Sequence, residues 1–301
     1  MLVIVAPGQG AQTPGFLAPW LEIPGLADRL SAWSDLVGLD LVAYGTTAGA
    51  DEIRDTAVAQ PLLVAAGLAV AEVLGASPAI VAGHSVGELT AAALAGVLTP
   101  EQALTLVRER GQAMAKAAAV TETGMLAVLG GAEDDVLAAI AGHGLTPANI
   151  NGAGQIVAGG TLAQLEAFRA EPPARARLIP LSVAGAFHTV HMAPAVDHLR
   201  KAAAGITPGD PSTTLLSNAD GAAVTSGAEF VERLINQVAN PVRWDACMAT
   251  MADRGVTAMI ELVPGGTLTG LAKRALRGVA TVALKTPDDL DAARGVLSGS
   301  A

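Results

Sequence analysis

The sequence predicts an α/β protein in which a mostly parallel sheet is interrupted by a smaller inserted domain. Short apolar runs alternate with helical patterns over most of the 301 residues, an order that builds a parallel sheet covered by helices. Between residues 124 and 181 the order becomes strand, helix, strand, strand, helix, strand, which is ferredoxin-like. A hydrophobic share of 51% supplies the large core that such a fold requires.

The segment before the insertion justifies the first of these observations. Its apolar runs predict strands at 1–6 and 79–82, and its helical patterns cover 27–36, 60–75 and 88–96. The best-marked helix begins at Thr99, which can cap it, has Pro100 in its first turn, and gains a capping box from Gln102. This helix is expected to run to about residue 119.

The insertion and the segment after it complete the predicted fold. The insertion has predicted strands at 125–129, 148–151, 155–158 and 176–181 and helices at 133–141 and 162–170. The last segment has predicted helices at 193–203, 230–237, 247–254 and 268–276 and strands at 213–217, 257–263 and 279–284. We therefore expect a discontinuous large α/β domain, 1–121 and 186–301, and an insertion domain, 122–185.

The composition excludes several classes of protein. A net charge of −10 argues against binding to nucleic acid or to anionic membranes. The single cysteine, Cys247, permits no internal disulfide and fits the reducing cytoplasm, and no Cys/His cluster has the spacing of a metal site. The apolar start is a short strand rather than a signal peptide, and the apolar stretch 61–74 is too short to span a membrane.

The pentapeptide Gly83-His84-Ser85-Val86-Gly87 is the strongest functional signal. It lies between a predicted strand and a predicted helix, which is the context of a sharp turn that presents a nucleophilic serine near backbone N–H groups. The alternative is an ordinary connecting turn in which Ser85 caps the next helix.

A serine nucleophile needs a base, and the chain has five histidines. They are His84, His143, His188, His191 and His198. The side chain of His84 is expected to point away from the pocket of its neighbour Ser85. His188 lies where the chain returns from the insertion, so it is the candidate base, with a packing role between the domains as the alternative.

Two further polar residues are candidates for the site. Arg110 falls in the middle of the apolar face of its predicted helix, where a charge needs an anion, either a ligand carboxylate or a buried acidic side chain. Gln9 follows the first strand and could donate to an oxyanion together with the N–H of Val86, or could simply stabilise its loop.

Taken together, the motifs resemble the malonyl-CoA:acyl carrier protein transacylases, relatives of the acyltransferase domains of polyketide synthases. The matching motifs occur in the family's order over nearly the whole chain. They are Gly8-Gln9-Gly10-Ala11-Gln12, Gly83-His84-Ser85-Val86-Gly87-Glu88, Arg110-Gly111 with Met114, Gly185-Ala186-Phe187-His188, Asn240-Pro241-Val242-Arg243-Trp244 and Val263-Pro264-Gly265.

The resemblance implies a hydrolase-like large domain and a ping-pong transfer of malonyl through Ser85. It implies that His188 is the base, that the main-chain carbonyl of Gln237 orients it, and that Arg110 pairs with the malonyl carboxylate. The oxyanion hole would come from the backbone of Gln9 and Val86.

The resemblance also bears on substrate and partners. Phe187 beside His188 resembles malonyl-selective members, although Gly185 replaces a histidine common at that place in the polyketide domains. Met114, quoted above with Arg110, joins Phe187 as a candidate for substrate binding. The resemblance implies malonyl-CoA as substrate and a monomer that transiently binds an acyl carrier protein bearing phosphopantetheine, and nothing in the sequence suggests a metal or a tightly bound cofactor. The carrier would be acidic, so cationic candidates for its docking are Lys273, Arg274, Arg277, Arg175 and Arg177.

Two other functions remain open at this point. A serine esterase or thioesterase usually carries its histidine late in the chain, whereas 113 residues follow His188 (301 − 188), and Arg110 has no general role in such an enzyme. A non-catalytic CoA- or carrier-binding scaffold would not need Ser85, His188 and Arg110 together.

Overall fold

Two β-sheets organise the computed structural model, which describes residues 1–297. The strands are β1 (Leu2–Ala6), β2 (Ile80–Gly83), β3 (Thr123–Gly130), β4 (Thr146–Gly152), β5 (Gln155–Thr161), β6 (Ala176–Pro180), β7 (Thr214–Leu216), β8 (Ala223–Val224), β9 (Val242–Arg243), β10 (Ala258–Glu261) and β11 (Ala280–Ala283). The helices are α1 (Leu26–Val37), α2 (Leu41–Thr46), α3 (Thr56–Leu74), α4 (Gly87–Leu94), α5 (Pro100–Ala118), α6 (Glu133–Gly142), α7 (Leu162–Ala170), α8 (Ala193–Ala203), α9 (Gly227–Gln237), α10 (Trp244–Asp253), α11 (Thr267–Ala275) and α12 (Asp289–Leu297). Short 3₁₀ turns cover Ala18–Glu22 and Val190–Met192.

The first sheet is six-stranded, in the order β11-β10-β1-β2-β7-β8. Strand β1 lies near its middle and is buried on both faces. Val3 and Val5 pack into one apolar cluster, with α10 and α11, whereas Ile4 and Ala6 pack into the other, with α3, α4 and α5. Because successive side chains of a strand alternate between faces, β1 anchors both helical layers at once.

Helix α3 is the most buried helix of the larger layer. Asp55 caps its start through the N–H of Ala57, and Gly75 ends it in the left-handed conformation. It is 19 residues long and apolar enough to cross a membrane, but 83% of its apolar window is buried inside the protein. The expectation that this stretch is too short to span a membrane is therefore wrong. The helix is long enough, but it is a core helix of the protein.

The second sheet is five-stranded, in the order β6-β3-β5-β4-β9. It is built mainly from residues 123–180, with α6 and α7 packed on one face around Leu126, Ile140 and Phe168. Strand β9 comes from much later in the chain and pairs parallel with β4 through Asn149 and Val242. The later segment therefore ties this sheet to the rest of the molecule.

The predicted α/β class is confirmed, but the prediction of a mostly parallel sheet is corrected, since both sheets are mixed. Strand β8 runs antiparallel to β7 at the edge of the first sheet, and β3–β5, β3–β6 and β4–β5 are antiparallel in the second. The physical reason is local, because strands joined by a connection as short as Gly152–Gln155 can only pair antiparallel.

Candidate active site

A cleft of about 570 Å³ separates the carboxyl ends of β1 and β2 from the open face of the second sheet. The loop after β1 forms one wall, and side chains of β3, β4 and β5 form the opposite wall. Side chains that line it and enter the argument below are Gln60, His84, Ser85, Met114, Phe187 and His188. Ligands of α/β sheets bind at the same edge, outside the carboxyl ends of parallel strands.

Ser85 occupies the apex of the turn between β2 and α4. Its φ of 53° is left-handed, a conformation that costs a non-glycine residue about 1 kcal/mol or more. The turn is pinned on either side, because the His84 N–H donates to the Ala6 carbonyl at 3.0 Å and the Gly87 N–H donates to the His84 carbonyl at 3.0 Å. The serine is thus held against the cleft by its neighbours.

The two glycines of the pentapeptide are required by close backbone contacts. A Cβ atom on Gly83 would lie 2.0 Å from the carbonyl carbon of Gly87, and one on Gly87 would lie 2.3 Å from the carbonyl oxygen of Ala6. Neither gap accommodates a methyl group, so the tightness of the turn depends on both glycines.

His188 is the partner of Ser85. Its Nε2 lies 2.7 Å from Ser85 Oγ, and its Nδ1 lies 2.8 Å from the carbonyl oxygen of Gln237. Because a carbonyl oxygen only accepts, Nδ1 carries the proton and Nε2 offers its lone pair to the serine hydroxyl. This is the arrangement of a general base and a nucleophile.

The surroundings keep His188 neutral. Burial and, after it, the nearby positive charge of Arg110 lower its pKa to about 3, although the Gln237 carbonyl opposes these effects. The folded pKa is therefore below the ordinary 6.5, so the unfolded chain takes up the proton first as the pH falls. The contribution of His188 to the free energy of unfolding is complete above pH 6.5 and is lost as the pH falls towards about 3.

We expect acylation of Ser85 to depend little on pH in the range where an ordinary histidine titrates. The value of kcat/KM reports the free enzyme, in which His188 stays neutral, so it should stay flat between about pH 8 and about pH 5. Rapid-mixing rates of acylation measure this, with circular dichroism as the control for folding at each pH. A fall with a midpoint near 6.5 would show that His188 titrates normally.

Arg110 lies directly behind the serine and is 1% exposed. Its Nη1 donates to Gln60 Oε1 at 2.7 Å, and its Nη2 contacts Gln237 Oε1 at 2.8 Å and Ser85 Oγ at 3.3 Å. Its Nε is buried without a partner among residues 1–297. Burial lowers its pKa to about 10, Glu88 opposes this shift, and the guanidinium remains charged at neutral pH. The sequence allowed a salt bridge between Arg110 and a buried acidic side chain. No such bridge occurs among the described residues, where Nη1 and Nη2 instead bond to the neutral side-chain amides of Gln60 and Gln237.

The two backbone N–H groups expected to form the oxyanion hole have no acceptor among the described residues. In the described part of the chain, the N–H groups of Val86 and Gln9 donate to no other residue, whereas the Ser85 N–H donates to Asn218 Oδ1 at 2.8 Å. Val86 is also the N-cap residue of α4, so its N–H lies at the positive end of that helix. The Gln9 side chain lies within 3.4 Å of Thr56 Oγ1 and of Gln60 Nε2.

The expectation for His84 is wrong. Its side chain lines the same cleft as Ser85, with Nε2 2.8 Å from Asn151 Oδ1 of β4 and its ring 5.7 Å from the ring of Trp244. Alternation along an extended strand would have separated the two side chains, but the left-handed turn at Ser85 breaks that alternation. Burial lowers the pKa of His84, and the Asn151 hydrogen bond opposes the shift.

The remaining candidates occupy the cleft or its rim. Met114 and Phe187 are buried and line it. Lys273 and Arg274 are exposed on α11, whose first turns, including Leu268 and Leu271, line the cleft. Exposed candidates elsewhere are Arg277 after α11 and Arg175 and Arg177 beside and in β6.

Sequence reasoning missed three side chains at the site. Gln60 of α3, Glu88 of α4 and Asn218 after β7 are 1% exposed or less, yet each contacts Arg110, Gln237 or Ser85. The available signal was a polar side chain inside an otherwise apolar helix, which applies to Gln60 and Glu88. Asn218 lies in a turn after β7, where a polar residue is ordinary, so no such signal marks it.

Comparison with known proteins shows which family and which relatives this chain is similar to. The model of the acyl transferase domain family matches residues 4–293. A curated malonyl CoA-acyl carrier protein transacylase of Mycobacterium tuberculosis is 54% identical over 297 residues, which cover 97% of this chain and 98% of that protein.

Solved structures give the same context. The crystal structure of MCAT from Mycobacterium tuberculosis has a TM-score of 0.94 at 53% identity, covering 97% of this chain and 98% of that one. A malonyl-transacylase in complex with its holo type II PKS acyl-carrier protein has a TM-score of 0.91 at 31% identity, with 99% of each chain covered.

Proposed function

Since the chain belongs to the acyl transferase domain family, we propose that it transfers malonyl from malonyl-CoA to the phosphopantetheine thiol of acyl carrier protein. One observation carries this proposal beyond the comparison. Ser85 Oγ lies 2.7 Å from the base His188 and 3.3 Å from the buried cation Arg110. A nucleophile between a base and a cation suits an acyl group that carries a free carboxylate.

The first half-reaction forms the acyl-enzyme. As Ser85 Oγ attacks the thioester carbonyl, His188 Nε2 takes the hydroxyl proton, while Nδ1–H stays on the Gln237 carbonyl. The carbonyl oxygen becomes negative and is stabilised by the N–H groups of Val86 and Gln9, each such donor being worth about 3 kcal/mol. When the C–S bond breaks, His188 returns the proton to the leaving sulfur, so CoA departs as a thiol and malonyl remains on Ser85.

The second half-reaction runs the same steps towards the carrier. The phosphopantetheine thiol gives its proton to His188 Nε2 and attacks the malonyl-Ser85 ester. The same N–H groups of Val86 and Gln9 stabilise the oxyanion, and Ser85 Oγ regains a proton from His188 as the ester breaks. Because His188 is neutral at the start of each half, it can act as base and then as acid twice per cycle.

Recognition of malonyl is proposed to rest on Arg110. A malonyl group on Ser85 has its carboxylate a methylene beyond the ester carbonyl, and the guanidinium reaches Ser85 Oγ itself. Met114 and Phe187 are apolar walls against that methylene. A 2-methyl branch would meet Phe187, although one methyl in an apolar pocket discriminates by only about 1–3 kcal/mol.

We also propose the finer domain description. The core of 1–121 and 186–301 would be hydrolase-like, as the serine turn between a strand and a helix supports. The insertion, 122–185, would be ferredoxin-like, which is supported by the antiparallel order β6-β3-β5-β4 with α6 and α7 on one face.

The carrier is proposed to dock transiently at the rim formed by α11. Lys273 and Arg274 are exposed there, and the same helix lines the cleft, so a cationic rim would meet an acidic carrier beside the thiol's entrance. We further propose a cytoplasmic monomer that uses no tightly bound cofactor and serves fatty-acid synthesis, and polyketide synthesis where a suitable carrier is present.

Product analysis tests the proposed function against hydrolysis. With malonyl-CoA and holo-carrier, we expect malonyl-carrier to accumulate in step with free CoA. With the matched apo-carrier, which lacks the thiol, CoA release should stop after about one equivalent per enzyme, as a covalent intermediate requires. Continuing release of free malonate without a thiol acceptor would identify a hydrolase instead.

A further inference from the structure

A buried carboxylate lies beneath the nucleophile. Glu88 is in the first turn of α4, three positions after Ser85, and is 1% exposed. Its Oε1 accepts the Asn218 N–H at 2.5 Å, and its Oε2 accepts from Gln237 Nε2 at 2.6 Å. The catalytic steps above make no use of this group.

The neighbours of Glu88 favour its ionised form by their own chemistry. Arg110 can only donate, so the atom of the Gln237 amide that faces it at 2.8 Å is Oε1, and the amide nitrogen faces Glu88. The Asn218 backbone N–H is also only a donor. Both carboxyl oxygens therefore face donors, and a proton on either would meet another hydrogen. Burial raises the pKa of Glu88 to about 8, against the Asn218 N–H and the charge of Arg110, so the carboxylate form at neutral pH depends on the donors that face it.

These contacts place one side-chain amide between two opposite charges. The Glu88 carboxylate binds the nitrogen end of the Gln237 amide, and the Arg110 guanidinium binds its oxygen end. The amide thus separates a buried anion from a buried cation and is oriented by both. A buried guanidinium without any anion nearby would be strongly unfavourable, and Glu88 is the carboxylate whose charge acts on Arg110.

We propose that Glu88 is the positioning residue for malonyl recognition, acting on Arg110 through the Gln237 side chain. The inference rests on the proposed function, because it concerns the carboxylate of the malonyl group. A direct ion pair would occupy the guanidinium with a resident carboxylate. The intervening amide of Gln237 holds the Arg110 guanidinium in place and leaves its charge available beside Ser85.

The same amide explains why the arrangement is specific. The backbone carbonyl of Gln237 orients His188, while its side chain orients Arg110. Glu88 contacts only the side-chain amide of Gln237 and the backbone N–H of Asn218. Disturbing Glu88 should therefore affect recognition of the substrate carboxylate more than the serine–histidine pair.

Glu88→Gln tests this because it keeps the shape and removes the charge. Its oxygen can still accept the Asn218 N–H, but its NH₂ group then faces the NH₂ group of Gln237. We expect acylation of Ser85 by malonyl-CoA to fall at least about tenfold more than acylation by acetyl-CoA, which corresponds to one lost charged hydrogen bond. Labelling of Ser85 by an uncharged fluorophosphonate should stay within about twofold of wild type, because that probe has no carboxylate.

A matched control is Glu109→Gln. This carboxylate is adjacent to Arg110 in sequence but pairs with Arg108 and His198 on the other side of α5. It should leave the ratio of malonyl to acetyl acylation unchanged. Equal losses of malonyl and acetyl acylation in Glu88→Gln would overturn the proposal, since they would show a general effect on the serine turn. Failure of the proposed function is a separate result, because wild type itself would then form no malonyl adduct or would release it as free malonate instead of passing it to the carrier.

An exchanged pair keeps the test decisive if Glu88→Gln does not fold. In Glu88→Gln with Gln237→Glu, the new amide at 88 can donate to the new carboxylate at 237, which accepts from Arg110, while the Ser85 carbonyl and Asn218 Oδ1 lose the Gln237 Nε2 donor at 3.2 Å. We expect the double variant to fold but to show a lower ratio of malonyl to acetyl acylation than wild type, because its carboxylate at 237 pairs directly with Arg110 and occupies the guanidinium. A double variant with the wild-type ratio contradicts the proposal, because the amide between the two charges would then be unnecessary.

Discussion

Ser85→Ala is expected to abolish the acyl-enzyme and to lower the rate of malonyl transfer by up to about a millionfold, as loss of a serine nucleophile does in serine enzymes. The reason is geometric: the hydroxyl bonded to His188 at 2.7 Å is presented to the cleft by a turn that depends on two glycines. Intact-protein mass after mixing with malonyl-CoA, together with the steady-state rate, measures both effects.

The control for this substitution is Ser31→Ala, on the exposed side of α1. It should retain the malonyl adduct and the wild-type rate. A covalent malonyl adduct on the Ser85→Ala protein would mean that another side chain is the nucleophile, and the assignment of Ser85 would be withdrawn.

Arg110→Ala is expected to slow malonyl transfer about a hundredfold or more, and acetyl transfer far less, since truncating one partner of a buried charge pair costs several kcal/mol. The guanidinium lies 3.3 Å from Ser85 Oγ and is held by two amides rather than by a carboxylate. Removing it should also raise the pKa of His188, because the charge of Arg110 helps to lower that pKa. Steady-state rates with malonyl-CoA and acetyl-CoA give the ratio.

Two variants bracket the effect of Arg110→Ala. Arg110→Lys keeps the charge but loses the planar fork, so its malonyl rate should fall between those of wild type and Arg110→Ala. Arg108→Ala removes a half-buried cation of the same helix that pairs with Glu109, and it should not change the ratio. Equal losses of malonyl and acetyl transfer in Arg110→Ala would exclude a role in binding the malonyl carboxylate.

The parts of the site predictable from sequence are those written into one local segment. The pentapeptide around Ser85 predicts its turn because the small residues and the flanking strand and helix are contiguous. The capping box of Thr99 and Gln102 is present as expected, and it sets the start of α5 and hence the face on which Arg110 lies. Local rules of this kind need no knowledge of distant contacts.

The parts that could not be predicted depend on segments far apart in sequence. Arg110 is held by Gln60 and Gln237, which are 50 and 127 positions away, and no local pattern links the three. The direction of the His84 side chain follows from the left-handed φ of Ser85, which a sequence pattern does not encode. Strands β8 and β9 are two residues each, too short to show an alternation of apolar and polar side chains.

Backbone strain at Ser85 and His188 indicates that the fold fixes the positions of both residues. Ser85 and His188 both have a φ near 60° although neither is glycine, and both are held by hydrogen bonds to backbone or amide groups. Non-glycine residues in this conformation persist only where the surrounding fold determines them, and they cluster at functional sites. Ser85 and His188 are thus placed by the fold before any substrate binds.

Intact-protein mass spectrometry through one turnover tests the central claim most directly. Wild-type protein is mixed with malonyl-CoA, freed of excess substrate, and then given holo-carrier. We expect the mass of one malonyl group on Ser85, located by peptide mapping, and its complete movement to the carrier thiol. An adduct that decays to free malonate at the same rate with and without the carrier would contradict transfer, and the absence of any adduct would contradict covalent catalysis by Ser85.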